Sequence, residues 1–414
     1  MGSKKTGQVT SSTSGEKLTS VSKRTHRVLH VINGEHYAGA ERVQDLLALS
    51  LPEFGYEVGF ACVKSGKFPQ QRKSQDVPLY QTQMKSKFDL RAAKALADIA
   101  KIGGYDFLHA HTARSLVVAR IAAKIAKKPL VYHVHSPTVN DSTRWFTNRM
   151  NAMLERISLT GISQMICVSN SLSEHMKTQG YNPELLNVVP NGVPCHGDLP
   201  SREAPKDKWI LGTVALFRPR KGIEVLIEAL SILRSYGDDV RIRAVGPFET
   251  PEYEEKIKEL AKKRDVEDAI EWVGFSSDVN AQLAKMDVMV LPSLFGEGLP
   301  MVIIEAMAAG IPVIGTNVQG VPEVLTEGNG LVADAGCAAD LSNKVRAFIH
   351  GEEDWSSIRE NAWQRQADHF SDRSMAQGVA AVYDKVVKRQ MVADSAEANV
   401  ETETEAEPEP NAVS

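Results

Sequence analysis

Leu291-Pro-Ser-Leu-Phe-Gly-Glu-Gly-Leu-Pro-Met-Val-Ile-Ile-Glu-Ala-Met-Ala-Ala-Gly310 is the stretch from which the fold of this chain is best read. The apolar run Met286–Leu291 predicts a buried strand that ends at Pro292. Gly296 and Gly298 predict a loop whose backbone lies close to a ligand. Pro300 suits the first turn of a helix and Gly310 its stop. A helix start offers unpaired N–H groups and the positive end of a dipole, which suits a phosphate. Glu297 falls in the loop and Glu305 inside the helix.

The spacing of the two carboxylates, part of it loop, disfavours a hydrolytic pair. Eight positions along a continuous helix span about 12 Å, whereas a retaining glycosidase needs its pair about 5 Å apart. Two acceptors for the hydroxyls of one ligand fit the spacing better. Taken singly, Glu297 also reads as a favourable charge at a helix start, and Glu305 as a residue on a solvated face.

The whole pattern, Pro-Ser-x-x-x-Gly-Glu-Gly-Leu-Pro-x-x-x-x-Glu-Ala-Met-Ala-x-Gly, resembles the signature of family-four retaining glycosyltransferases. The resemblance implies an α/β GT-B fold: two Rossmann-like doubly wound parallel-sheet domains facing a cleft. It implies a nucleotide-sugar donor, with Glu297 and the segment Gly298, Leu299, Pro300 and Met301 on the sugar and diphosphate. Glu305 would hold the ribose. The donor is a co-substrate, and no cofactor is expected.

Upstream, Trp209–Phe217 predicts a strand, followed by Arg218-Pro-Arg-Lys-Gly222 and a helix. Two guanidiniums and an ammonium at a strand-to-helix turn suit a diphosphate. The resemblance selects Arg218 and Lys221 to neutralise the leaving group, and places the nucleobase near Gly274 and Phe275. Downstream, Gln319 replaces a glycine common in the family.

The segment 193–208 is rich in Pro, Gly and charge and reads as a linker. It divides an acceptor-side domain, 26–192, from a donor-binding domain, 209–370. A helix over 371–390 would cross back to the first domain, by resemblance. Residues 1–25 and the acidic 391–414 read as disordered tails.

The first domain opens with the strand Arg27–Ile32 and a loop into a helix. By resemblance this loop lies beside the diphosphate through a Gly-Gly pair; here Gly39 matches and Ala38 departs. Two H-x-H pairs, His109/His111 and His133/His135, end predicted strands. The period of a strand puts both rings of each pair on one face. Four histidines raise zinc as a reading, but no H-E-x-x-H and no Cys partner accompany them, and no metal is expected. By resemblance His135 faces the donor sugar, with His133 deeper and His111 toward the acceptor. Each also reads as a structural histidine bonded to backbone.

Lys64, Lys67, Arg72, Lys73, Lys85 and Lys87 form a basic region. It reads either as solvated loops or as a face for an anionic acceptor or lipid headgroups. The net charge of −4 over 414 residues gives no global field for nucleic acid. Four scattered cysteines, no apolar run of membrane length and no secretory apolar core predict a cytoplasmic protein, with peripheral membrane contact at most.

Together these features predict a metal-independent retaining transferase, with Glu297, His135, Arg218 and Lys221 at the chemistry. The acceptor would be a glycan, a lipid-linked glycan or a small molecule in cell-surface polysaccharide or glycolipid synthesis. A nucleotide-sugar epimerase, a phosphorylase and a non-catalytic nucleotide-sugar-binding protein are the alternatives. No D-x-D occurs in the chain.

Overall fold

The computed structural model describes residues 25–37, 39–86, 89–136, 156–195 and 197–404. Ala38 and Lys87 lie outside them. The first sheet contains β1 (His26–Ile32), β2 (Tyr56–Cys62), β3 (Leu79–Gln81), β4 (Phe107–Ala110), β5 (Leu130–Val134), β6 (Gln164–Cys167) and β7 (Leu186–Val188). Its order is β3-β2-β1-β4-β5-β6-β7, with every pairing parallel. The second contains β8 (Lys208–Val214), β9 (Asp239–Val245), β10 (Ile270–Gly274), β11 (Val288–Leu291), β12 (Val313–Thr316) and β13 (Leu331–Ala333). Its order is β10-β9-β8-β11-β12-β13, again parallel throughout. The central strands are buried along their length, as expected for parallel sheets covered by helices on both faces.

In such sheets ligands bind where strand order reverses, beyond the C-terminal ends of the strands. Those points lie between β1 and β4 in the first sheet and between β8 and β11 in the second. The first gathers His30, His109 and His111; the second gathers Arg218–Lys221 and Ser293–Met301. Both sheets are therefore two Rossmann-like halves of a GT-B fold, turned toward one cleft.

The chain passes between the domains twice, and the two crossings lie side by side. The Val193 N–H donates to the Phe370 carbonyl (2.9 Å) and the Asp372 N–H to the Val193 carbonyl (3.0 Å). The last helix, Asp372–Thr404, then packs against the helix Gly39–Ser50 and β6 of the first domain. It runs through positions 391–404, which the sequence reading assigned to a disordered tail. Ala, Glu and Met there are adequate helix formers, and no proline interrupts before position 408.

Tyr383 anchors that helix. Its ring is fully buried, packed edge-on to Tyr56 and Phe107. Its hydroxyl bonds His30 Nε2 (3.0 Å) and His109 Nδ1 (2.6 Å). Tyr383→Phe strands both ring nitrogens in the core. It is expected to cost about 2 kcal/mol, read as a lower urea midpoint; an unchanged midpoint would contradict these bonds.

Candidate active site

The loop after β11 is held in place before any ligand arrives. The Ser293 hydroxyl donates to Glu297 Oε1 (2.6 Å), and the Lys221 ammonium pairs with the same oxygen. Arg220 donates to the Gly296 carbonyl (2.9 Å) and stands 3.7 Å from Glu297 Oε1. The Leu294 N–H in turn donates to the Arg220 carbonyl (2.8 Å). The basic turn after β8 and the acidic loop after β11 thus form one unit. Burial alone would raise the Glu297 pKa, but Lys221, Arg220 and Ser293 outweigh it and hold the carboxyl below the usual range. For Lys221 burial outweighs pairing and its pKa falls. The downward shift of Glu297 keeps its carboxylate ionised, whereas that of Lys221 reflects its burial.

Arg218 begins the turn that carries Lys221, the residue expected to join it at the diphosphate. Its guanidinium stands 3.6 Å from Glu249 Oε1, and it acts on Lys221 only through its charge. Arg220, which the spacing argument passed over, is the guanidinium bonded to the Glu297 loop.

The helix Met301–Ala308 starts at Pro300 without a side-chain cap. A Cβ on Gly39 would stand 3.9 Å from Met301 Cγ, so the start of the first domain's helix faces the start of the second's. Leu299 offers its carbonyl to Asn191 Nδ2 (3.0 Å). Gly298 lies directly on the backbone of His135. Gln319 is more than a missing glycine: its Oε1 accepts from the N–H groups of Gly296 (2.8 Å) and Glu297 (3.1 Å). It does so with φ at +33°.

Glu305 is buried, which removes the solvated-face reading. Its carboxylate pairs across the cleft with Arg42, a residue the sequence reading did not single out. Burial raises the Glu305 pKa, and Arg42 opposes that rise. Arg42→Ala leaves this carboxylate unpaired and is expected to cost about 2 kcal/mol. That is below the range for fully buried pairs, because Arg42 keeps partial exposure. The double variant Arg42→Ala/Glu305→Leu should recover most of the loss in urea unfolding; additive losses would contradict the pairing.

Gly274, at φ +73°, ends β10 with open space around it. The exposed Phe275 ring beside it lies under Lys67 Nζ, 5.6 Å from the centroid, which again joins the domains. The basic region does not act as one surface: Arg72 is buried and spends its guanidinium on the carbonyls of Ser74, Gln75 and Val77.

The four H-x-H histidines and His30 form a single cluster of five. Register pairs His30 with His109 and His109 with Val131. Side chains alternate along strands, so His30, His109, His111, His133 and His135 share one face. His135 is partly exposed, while the other four are fully buried. His111 and His133, expected on the acceptor side, are each 1% exposed here. Burial lowers every ring's pKa, His30 to about 3 and His135 to about 4, so all five are neutral near pH 7.

Comparison with known proteins bears on the fold and the family. Residues 37–196 match Glycosyltransferase Family 4 and residues 198–365 match Glycosyl transferases group 1. A putative colanic acid biosynthesis glycosyltransferase, WcaL of Salmonella typhimurium, is 30% identical over 54% of this chain; the match spans 56% of WcaL. An MMP alpha-(1->4)-mannosyltransferase of Mycolicibacterium hassiacum is 28% identical over 73% of this chain and 75% of its own. The crystal structure of Anabaena Alr3699/HepE in complex with UDP-glucose superposes with a TM-score of 0.73 at 23% identity, covering 86% of this chain and 99% of HepE. The chain is a GT-B-fold glycosyltransferase related to the Glycosyltransferase Family 4 proteins.

Proposed function

We propose that this protein transfers a sugar, with retention and without a metal at the donor, from a nucleoside-diphosphate sugar to a glycan or lipid-linked acceptor. The observation that carries the reading is the unit Lys221–Glu297–Ser293, set at the switch point of one domain and pressed through Gly298 onto His135 of the other. Lys221 and the uncapped helix start at Met301 meet the diphosphate, with Arg220 and Arg218 adding positive charge. Stabilising that developing charge is the largest catalytic contribution available here. Glu297 orients the sugar and His135 lies against its reactive face. Glu305 takes the ribose hydroxyls, exchanging Arg42 for them, and Phe275 offers an exposed ring to the base. The C1–phosphate bond breaks as the acceptor oxygen bonds C1 on the same face, and the departing phosphate takes the acceptor proton.

HepE is solved with UDP-glucose, so UDP-sugars are the first donors to test. No helix among the described residues is long and apolar enough to cross a membrane, and a lipid-linked acceptor would be met peripherally. The test is a thermal-shift panel of UDP-, GDP- and ADP-sugars in chelator. A ligand that binds only the folded state raises its stability. One donor should raise the melting temperature, and Arg218→Ala/Lys221→Ala should abolish the rise. No shift with any donor would overturn the proposal.

A further inference from the structure

The five-histidine cluster exceeds what the transfer reaction uses. Its inner part is linked by hydrogen bonds that fix the ring tautomers, with only His109 Nε2 there left unpartnered. Of the two bonds to the Tyr383 hydroxyl, the 2.6 Å contact to His109 Nδ1 has the length of an O–H donor, and the 3.0 Å contact to His30 Nε2 that of an N–H donor. That assignment leaves His30 Nδ1 as a lone pair, which accepts from His111 Nε2–H at 3.2 Å. The neutral His111 ring then carries its other lone pair on Nδ1. This atom faces His135 Nε2 at 3.2 Å.

Beside this pair stands His133, 1% exposed, with neither ring nitrogen partnered. Its ring stacks on His135, with centroids 4.3 Å apart. One ring nitrogen from each of His111, His133 and His135 lies within 4.8 Å of the others. Two imidazole nitrogens bound to one tetrahedral zinc stand about 3.3 Å apart, close to the His111–His135 separation.

We propose that His111, His133 and His135 form a three-histidine site for a borderline divalent transition metal such as zinc, with its fourth position open to the cleft. The neighbouring trio His30, His109 and His111 is the weaker choice, because Tyr383 and the ring-to-ring bond already occupy the lone pairs of His109 and His30. Neutral imidazole is the ligand form. The bond from His111 Nε2–H to His30 is the outer-shell contact that fixes tautomer and ring orientation at such sites. A bound metal takes the His135 nitrogen away from the sugar, so the site inhibits transfer and plays no part in donor binding.

The test uses the full chain without an affinity tag, stripped with chelator and titrated with Co²⁺, whose visible absorption reports tetrahedral nitrogen ligation independently of activity. One equivalent should bind with intense bands and be displaced by Zn²⁺. His133→Asn and, separately, His135→Ala should lose the bands; the second replaces the partly exposed ring, so that a folding defect in the first leaves the test intact. His30→Phe, which removes the orienting partner, should weaken binding about 10-fold or more. Absence of the bands in the wild type, or bands unchanged in a folded His133→Asn or His135→Ala protein, would overturn the site. Neither result bears on donor binding in chelator, so this proposal and the transferase reading fail separately.

Discussion

Lys221→Ala is expected to lower kcat/KM for sugar transfer by about 10³-fold, the scale of losing one preorganised charge at a developing anion. Two effects add. The diphosphate loses the ammonium that would meet it. Glu297, 5% exposed, loses its closest counter-charge and keeps the Ser293 hydroxyl, with Arg220 at 3.7 Å. Its carboxyl must then rise toward protonation, because burial already pushes that way. Arg220→Ala is the informative comparison. That side chain reaches the loop through the Gly296 carbonyl, so its loss should shift loop position and cost about 10-fold. Initial-rate kinetics on both variants, with melting temperatures to confirm folding, decide the assignment. A fall below tenfold for Lys221→Ala, or a larger loss for Arg220→Ala, would move the diphosphate contact to Arg220.

The difference between those residues also shows what a sequence can carry. Strand, loop and helix over 288–308 were legible because an apolar run, two glycines and a proline each act locally. Lys221 was legible because a basic turn after a strand has few other uses. Arg218 and Arg220 occupy the same turn, and spacing alone could not tell which would face the loop. Arg42 was hidden because its partner Glu305 lies on the other domain. His30 sits alone in an apolar strand, and only register against His109 brings it into the cluster. Tyr383, which closes that cluster, arrives from the last helix. Gln319 looked like a defect in a glycine pair, yet its amide carries the loop N–H groups. In each case the missing information was a contact between distant segments, which no local pattern encodes.

Gly298→Ala should lower kcat/KM by about 100-fold, the typical loss when reacting groups are displaced by about an ångström, and lower the melting temperature as well. A Cβ at this position would stand 2.0 Å from the His135 carbonyl oxygen and 3.2 Å from Val168 Cγ2. The first obstacle is backbone from the opposite domain, which cannot rotate away as a side chain would. The residue does not need a left-handed φ, so space alone forbids the methyl. To restore an ordinary contact the loop must withdraw from His135 by roughly an ångström, taking Glu297 with it, and overpacking of this kind costs about 1–3 kcal/mol. Gly237→Ala is the control: at φ +88° with nothing within 4 Å of its Cβ, it should cost about 1 kcal/mol in strain and leave the kinetics unchanged. Steady-state rates and melting curves on the two variants separate geometry at the cleft from general destabilisation. If Gly298→Ala turned over at the wild-type rate, Gly298 and His135 would have to part before chemistry, and the closed contact seen here would not be the reacting one.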